Sequence, residues 1–275
     1  MSASDFSHGS LGGALCLDAL RQGLVAKRLG GKVHYFPELD STNSFARQLA
    51  EGGAPEGAIV IAEAQTRGRG RLGRRWQSPP FGNLYFSVLL RPQLAPALAP
   101  QITLMAAVAL AETVAGFIPQ SVTIKWPNDI LVGGKKLAGI LTEAACDSER
   151  LEYVILGIGV NLNYRLDAMP AEIRERATSI AELTGASVGR ESFLGRLIHA
   201  LDRCYGELEE SGFAPLAPRW EAHFGLRGKQ VRVELLDQIV TGRAVGIDGD
   251  GALLIEDGQG ARQRVLAGDV IPVES

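Results

Sequence analysis

No Asp or Glu stands between Glu63 and Glu112, and the first part of that gap holds five arginines: Arg67, Arg69, Arg71, Arg74 and Arg75. These charges have no counter-ion nearby in sequence. The three cysteines (Cys16, Cys146, Cys204) and four histidines (His8, His34, His199, His223) are scattered. No pair has metal-ligand or redox-motif spacing, so ordinary thiols and imidazoles are expected. There is no basic excess either, with 28 Lys+Arg against 31 Asp+Glu. A broad electrostatic footprint for DNA or an anionic membrane is therefore not expected, and the positive charge is local. The N-terminus lacks a basic n-region, and no apolar run approaches the ~20 residues that span a bilayer. A soluble, cytoplasmic chain is the expectation.

At 275 residues the chain fits one large domain and one small one. Its most unusual stretch is AQTRGRGRLGRR, Ala64 to Arg75, which admits three readings. Gly68, Gly70 and Gly73 satisfy the dinucleotide spacing G-x-G-x-x-G, and the apolar run GAIVIAEAQ before them reads as the required strand. The required helix is missing, because Pro79, Pro80 and Gly82 follow, and so is the acidic residue about 20 positions on. A disordered nucleic-acid arm would sit in low-complexity sequence, whereas a second apolar run, NLYFSVLLR, follows here. That leaves an anion-cradling loop between two core strands, whose guanidinium forks suit phosphate or carboxylate and whose glycines let the backbone approach. A solvated arginine-rich hairpin tip is the bland alternative.

Along the chain, leucines at helical spacing predict a helix over Ala14 to Leu29, and KVHYFPEL predicts a strand. Asp40-Ser41-Thr42-Asn43 then reads as a helix cap, or as hydroxyls and amides holding a small polar ligand at a helix N-terminus. Gln101 to Ile118 is an Ala-rich helix with no charge before Glu112, and so a buried one. In Val122 to Ala145, Pro127 breaks a strand and Gly133-Gly134 signals a type I′ hairpin. Lys125, Asn128 and Asp129 sit at the break. Lys135 and Lys136 leave the turn, and alternation does not say which faces a site. LEYVILGIGVNLN is another strand, Glu191 to Glu210 an amphipathic helix, and a short helix surrounds Trp220. Beyond Gly228, five short strands read as a small β-barrel, in which DGDG (Asp248 to Gly251) is a turn rather than a calcium loop.

Four signals, DSTN (Asp40 to Asn43), QTRGRGRLGRRW (Gln65 to Trp76), KWPNDILVGGKKLAGILTE (Lys125 to Glu143) and GIGVNLN (Gly157 to Asn163), in this order and spacing, resemble biotin–protein ligases. The resemblance runs from about Lys32 to the C-terminus. It implies an α+β fold: a mixed sheet flanked by helices, of the class II synthetase-like type, followed by a small SH3-like barrel. The expected division is 1–30 as an N-terminal extension, 31–226 as the catalytic domain and 227–275 as the barrel.

By the same resemblance, Ser41, Thr42, Asn43 and Gln65 surround the biotin head group, and Lys136 meets the biotin carboxylate. Gly68, Arg69, Gly70 and Arg71 form the loop that closes over biotin and nucleotide, with Arg69 and Lys136 as the catalytic cations. Trp76, Lys125, Asn128, Asp129 and Asn161 lie near ATP or its metal, together with Arg69 and Arg71. ATP, biotin and Mg²⁺ are the implied small molecules, and a biotin carboxyl carrier protein, such as the acetyl-CoA carboxylase subunit, is the implied partner. A monomer or homodimer is expected. The family's regulatory members add a DNA-binding domain, for which the residues before the first catalytic strand are too few, so no DNA partner and no membrane are expected. Leu72 departs from members with a further arginine there. A lipoate or octanoate protein ligase of related fold is the alternative reading. From another class, a nucleic-acid-binding module would use the same arginine loop.

Overall fold

The computed structural model describes residues 13–24, 26–147, 149–165, 171–235 and 238–273. The polar start of the chain and His8 lie outside the described residues. Seven strands form one sheet: β1 (Lys32–Leu39), β2 (Ala58–Gln65), β3 (Leu84–Leu90), β4 (Val122–Lys125), β5 (Asp129–Val132), β6 (Lys135–Cys146) and β7 (Leu151–Val160), in the order β1-β2-β3-β7-β6-β5-β4. β1 and β2 are parallel and the other neighbours antiparallel, so the sheet is mixed. The most continuously apolar runs, β2, β3 and β7, lie inside the sheet. β1, which contains Pro37, lies at an edge, where a missing N–H breaks no ladder. A parallel pair needs a crossover, and α2 (Thr42–Glu51) supplies it.

Pro127, expected to break or bend the incoming strand, sits in the tight reversal where β4 ends. The Trp126–Pro127 bond is cis, and β4 and β5 pair antiparallel with Lys125 opposite Asp129. Gly133 and Gly134 both have positive φ, 57° and 78°, as a type I′ turn between β5 and β6 requires.

The core lies between the sheet and two helices, α3 (Ala99–Ala115) and α6 (Arg190–Ser211). Phe193, Leu197, Leu201, Tyr205 and Leu208 form one fully buried stripe of α6. One expectation needs correcting. Among the described residues, the stretch Pro96–Ala115 is long and apolar enough to cross a membrane. Ile102, Leu104 to Ala111 and Val114 of this stretch are instead buried in the protein core, since α3 has its own sheet and α6 to pack on.

The N-terminal helix is also shorter than expected, with α1 covering Leu17–Gly23. Beyond it the backbone N–H groups of Lys27, Arg28 and Leu29 donate to the Asp202 carboxylate at 3.0, 2.9 and 3.1 Å. A carboxylate that takes three successive amides holds this bent segment against α6. Nearby, Glu63 is completely buried and pairs with Arg190 at 2.6 Å. It also accepts from the Leu15 N–H and the Tyr35 hydroxyl, both at 2.8 Å. Burial, with Glu63 alongside, pushes the Tyr35 phenol up to about 12. Removing one partner of such a pair leaves an uncompensated buried charge. Arg190→Met is therefore expected to lower stability by roughly 3–5 kcal/mol, read as a lower urea midpoint at unchanged slope.

Two short helices, α4 (Ala171–Arg176) and α5 (Ile180–Thr184), follow β7, and α7 (Ala217–Ala222) follows α6. The C-terminal strands are β8 (Gln230–Glu234), β9 (Ile239–Ile247), β10 (Leu253–Glu256), β11 (Arg262–Val265) and β12 (Asp269–Pro272), in the antiparallel order β11-β10-β9-β8-β12. Val231, Val233, Leu253, Ile255, Val265 and Val270 make their core. In DGDG, Asp248 Oδ1 accepts from the Asp250 and Ala252 N–H groups, which makes the segment a turn. This unit is bonded to the larger one. Trp126 Nε1 donates to Gly251 O at 3.1 Å and Gln101 Nε2 to Gly249 O at 3.0 Å.

Candidate active site

Facing α2 and the arginine loop, β6 and β7 present glycines. Gly139 pairs with Gly159, and Gly157 lies two residues away on the same face. A Cβ on Gly159 would come within 2.6 Å of the Trp76 ring, and one on Gly157 would collide with the Asn43 amide. The missing side chains make a flat floor on which Trp76 lies. Around it is a pocket of about 480 Å³, counted to its open mouth. It is lined by Ser41, Thr42, Asn43, Gln65, Arg69, Gly70, Arg71, Trp76, Asn128 and Lys136, together with the glycines and Ile140, Leu141 and Ile158.

The DSTN segment forms one wall, and it is not a simple cap. Ser41 stands at the N-cap of α2 but makes no side-chain bond to the helix. The Thr42 N–H donates 2.8 Å to Gln65 Oε1, and Gln65 Nε2 donates 3.0 Å to Ser78 Oγ. The Ser87 hydroxyl donates 2.6 Å to Asn43 Oδ1 and lies 2.8 Å from Thr42 Oγ1. Ser41, Thr42 and Asn43 are all buried. Buried hydroxyls and amides oriented by their neighbours suit recognition of a small polar group.

The arginine loop is exposed at Arg67, Arg69, Arg74 and Arg75, yet it is tied back to the rest of the protein. Gly70 N–H donates 2.7 Å to Arg74 O, and Trp76 N–H donates 3.0 Å to Gly68 O. Each loop arginine has a partner: Arg67 with Asp40, Arg69 with Glu143, Arg71 with Asn128 Oδ1 and Gly268 O, Arg74 with Asp269, and Arg75 with Thr66 O. Burial pushes the Arg71 guanidinium down from its ordinary value, against the pull of Asp129 and Asp269. Leu72 stands exposed at the tip with φ 55°.

The hairpin β5–β6 resolves the two lysines. Lys136 lines the pocket, with Nζ 2.7 Å from Asp129 Oδ1 and 5.2 Å from the Trp76 ring centre. Lys135 points to solvent. Four of the expected residues, Gly68, Lys125, Asp129 and Asn161, do not line this pocket. Lys125 Nζ lies 3.1 Å from Asp269 Oδ1. Asn161 is buried, donating 3.1 Å to Thr178 O and accepting from Asn83 Nδ2 at 3.5 Å. Gly68 is buried against Trp76 and Ser78, where a Cβ would come 2.5 Å from Trp76 O.

With this geometry in place, comparison with known proteins is decisive. Residues 35–161 match the biotin/lipoate A/B protein ligase family, and 227–271 match the biotin protein ligase C-terminal domain. The biotin–[acetyl-CoA-carboxylase] ligase of Paracoccus denitrificans is 37% identical over 84% of this chain and 96% of its own length. This chain belongs to the biotin protein ligase family. A bifunctional ligase/repressor BirA of Bacillus spizizenii is 35% identical over 94% of this chain and 79% of its own length. The biotin protein ligase from Aquifex aeolicus, solved in complex with biotin and ATP, is 30% identical and superposes with a TM-score of 0.76 over 90% of this chain and all of that one. The mixed-sheet domain with an SH3-like C-terminal unit is thus a ligase fold of this family.

Three contributors to the ligase pocket escaped the sequence reading. Glu143 and Asp269 pair with loop arginines from far along the chain, and no local pattern marks them. The glycine floor had a visible signal, since Gly157 and Gly159 at spacing two in a strand must share a face.

Proposed function

We propose that this chain joins biotin to ATP as biotinyl-5′-adenylate and transfers the biotinyl group to a lysine of a biotin carboxyl carrier domain. In the first step a carboxylate oxygen of biotin attacks the α-phosphorus and pyrophosphate leaves. In the second the carrier lysine attacks the acyl carbon and AMP leaves. Neither step needs a nucleophile from the enzyme. Both need two anions brought together and a reactive anhydride kept from water.

The observation that carries this reading is one pocket in which an oriented polar wall, a bare glycine floor and two cations meet. Ser41, Thr42, Asn43 and Gln65 would hold the ureido head group. Lys136 would meet the carboxylate, and Arg71, desolvated and bonded to neutral oxygens, would meet the phosphates. Trp76 Nε1 is buried without a protein acceptor, which fits a ligand oxygen there. Among the described residues no group of three or more acidic, His or Cys side chains could cage a metal. Mg²⁺ keeps several waters and rides on phosphates with one or two carboxylates. It would arrive with ATP, neutralising the phosphates, with Asp129, the carboxylate beside Lys136, as a candidate contact.

Incubation with biotin and ATP should yield a species with the mass of biotinyl-adenylate. With lipoate in place of biotin it should not. Adenylation of lipoate alone would favour the lipoate ligase reading. The pairing of Arg67, Arg69 and Arg74 with carboxylates speaks against the nucleic-acid reading. No specific complex is expected in a gel shift at physiological salt.

A further inference from the structure

Glu143 closes the KLAGILTE run, yet the roles above leave it without a task. It sits on β6 opposite Ile155 of β7, and its side chain is 22% exposed. Its carboxylate gathers three partners from two segments. Oε1 accepts from Arg47 Nη2 at 2.7 Å and Arg69 Nη1 at 3.0 Å, while Oε2 accepts from Arg69 Nη2 at 2.8 Å and Asn43 Nδ2 at 2.7 Å. The Arg69 contact is a fork-to-fork pair, the geometry in which a guanidinium is held most rigidly. Both terminal nitrogens of Arg69 are thereby turned to an internal carboxylate rather than to an incoming anion. On the other side, Asn43 is fixed at both ends of its amide. Nδ2 donates to Glu143 and, at 3.2 Å, to Leu141 O, and Oδ1 accepts from Ser87.

We infer that Glu143 is a positioning residue that fastens the glycine–arginine loop to β6 through Arg69 and, with the same carboxylate, sets the Asn43 amide of the head-group wall. Arg69 then acts as the loop's tether, and anion binding falls to Arg71 and Lys136. Loop closure and the orientation of the wall become one unit, because moving the Glu143 side chain disturbs both. The tether stands on geometry alone, whereas its effect on biotin rests on the function proposed above.

The test separates these two. In the ligand-free protein, chymotrypsin cleavage after Leu72 and Trp76, followed by mass spectrometry, reads loop opening without any ligand. Glu143→Gln and Arg69→Gln should each speed it by about 10-fold or more, the worth of a charge-assisted pair, and the double variant should be no faster than the faster single. The thermal unfolding midpoint should hold. If Glu143→Gln lowers it, Arg69→Gln decides, since that change lies on the loop and leaves the sheet intact. In pyrophosphate release, Glu143→Gln should raise KM for biotin several-fold more than Arg69→Gln does, because only the former also frees Asn43. Wild-type cleavage rates in the single variants, or a double variant whose rate is the product of the singles, would overturn the tether. Equal KM effects with a positive cleavage result would overturn the link to Asn43. A chain that makes no biotinyl-adenylate would refute the proposed function and leave the cleavage result standing.

Discussion

Lys136→Ala is expected to slow adenylate formation by roughly 10²–10³-fold, the usual cost of removing one preorganised charge donor at a reacting group, while Lys135→Ala leaves it within about twofold of wild type. The two residues are neighbours with identical chemistry, so the contrast tests placement. In the β5–β6 ladder Lys136 is opposite Leu131 and Lys135 opposite Val132, and alternation sends one to the pocket and the other to water. Lys136 is held there by Asp129 at 2.7 Å and by the face of Trp76. A cation over an aromatic face and beside one carboxylate is held in one place facing the pocket. Pyrophosphate release at saturating ATP is the measurement. Lys136→Arg, which keeps the charge but not its position, should recover only part of the rate. Equal effects of the two alanine variants would refute the placement of Lys136 at the reacting carboxylate.

The sequence made the fold legible wherever a pattern was local. The apolar runs of β2, β3 and β7, the stripe on α6 and the Gly133-Gly134 turn each follow from period or turn chemistry within about twenty residues. What could not be read was supplied from a distance. Leucine spacing carried the first helix on to Leu29, but it stops at Gly23, and Asp202 takes the N–H groups of residues 27 to 29. The missing counter-ions of the arginine loop were misleading in the same way. Glu143 lies 74 residues beyond Arg69 and Asp269 lies 195 beyond Arg74. No window of sequence contains both halves of either pair. Burial alone would push the Asp269 carboxyl up, but hydrogen bonds from Arg74 and Lys125, with their charges, bring it below its ordinary value. The C-terminal unit therefore contributes a stable anion to the loop at neutral pH.

Gly68→Ser tests what the closed loop is for. The glycine lies where the chain passes back over itself, and a Cβ there would meet Trp76 O at 2.5 Å and Ser78 Oγ at 2.8 Å. The Trp76 carbonyl is backbone, so the strain cannot be relieved by rotating a side chain. The loop must lift, and Trp76, whose N–H bonds to Gly68 O at 3.0 Å, must shift with it. If the loop only gathers charge, the variant should make adenylate more slowly and still deliver it to the carrier. If it covers an acyl phosphate, the intermediate should escape before the carrier lysine arrives, because a site that excludes water also retains what forms inside it. Escaped biotinyl-adenylate acylates any exposed lysine. Carrier specificity should then fall as leakage rises, with stray labelling of a lysine-rich bystander up by about 10-fold or more, if opening costs the loop one or two hydrogen bonds. Each protein is incubated with biotin, ATP and an unrelated lysine-rich protein, and the mixture is blotted for biotin. A variant that still forms adenylate yet labels the bystander no more than wild type would show that the loop gathers charge without sealing the site.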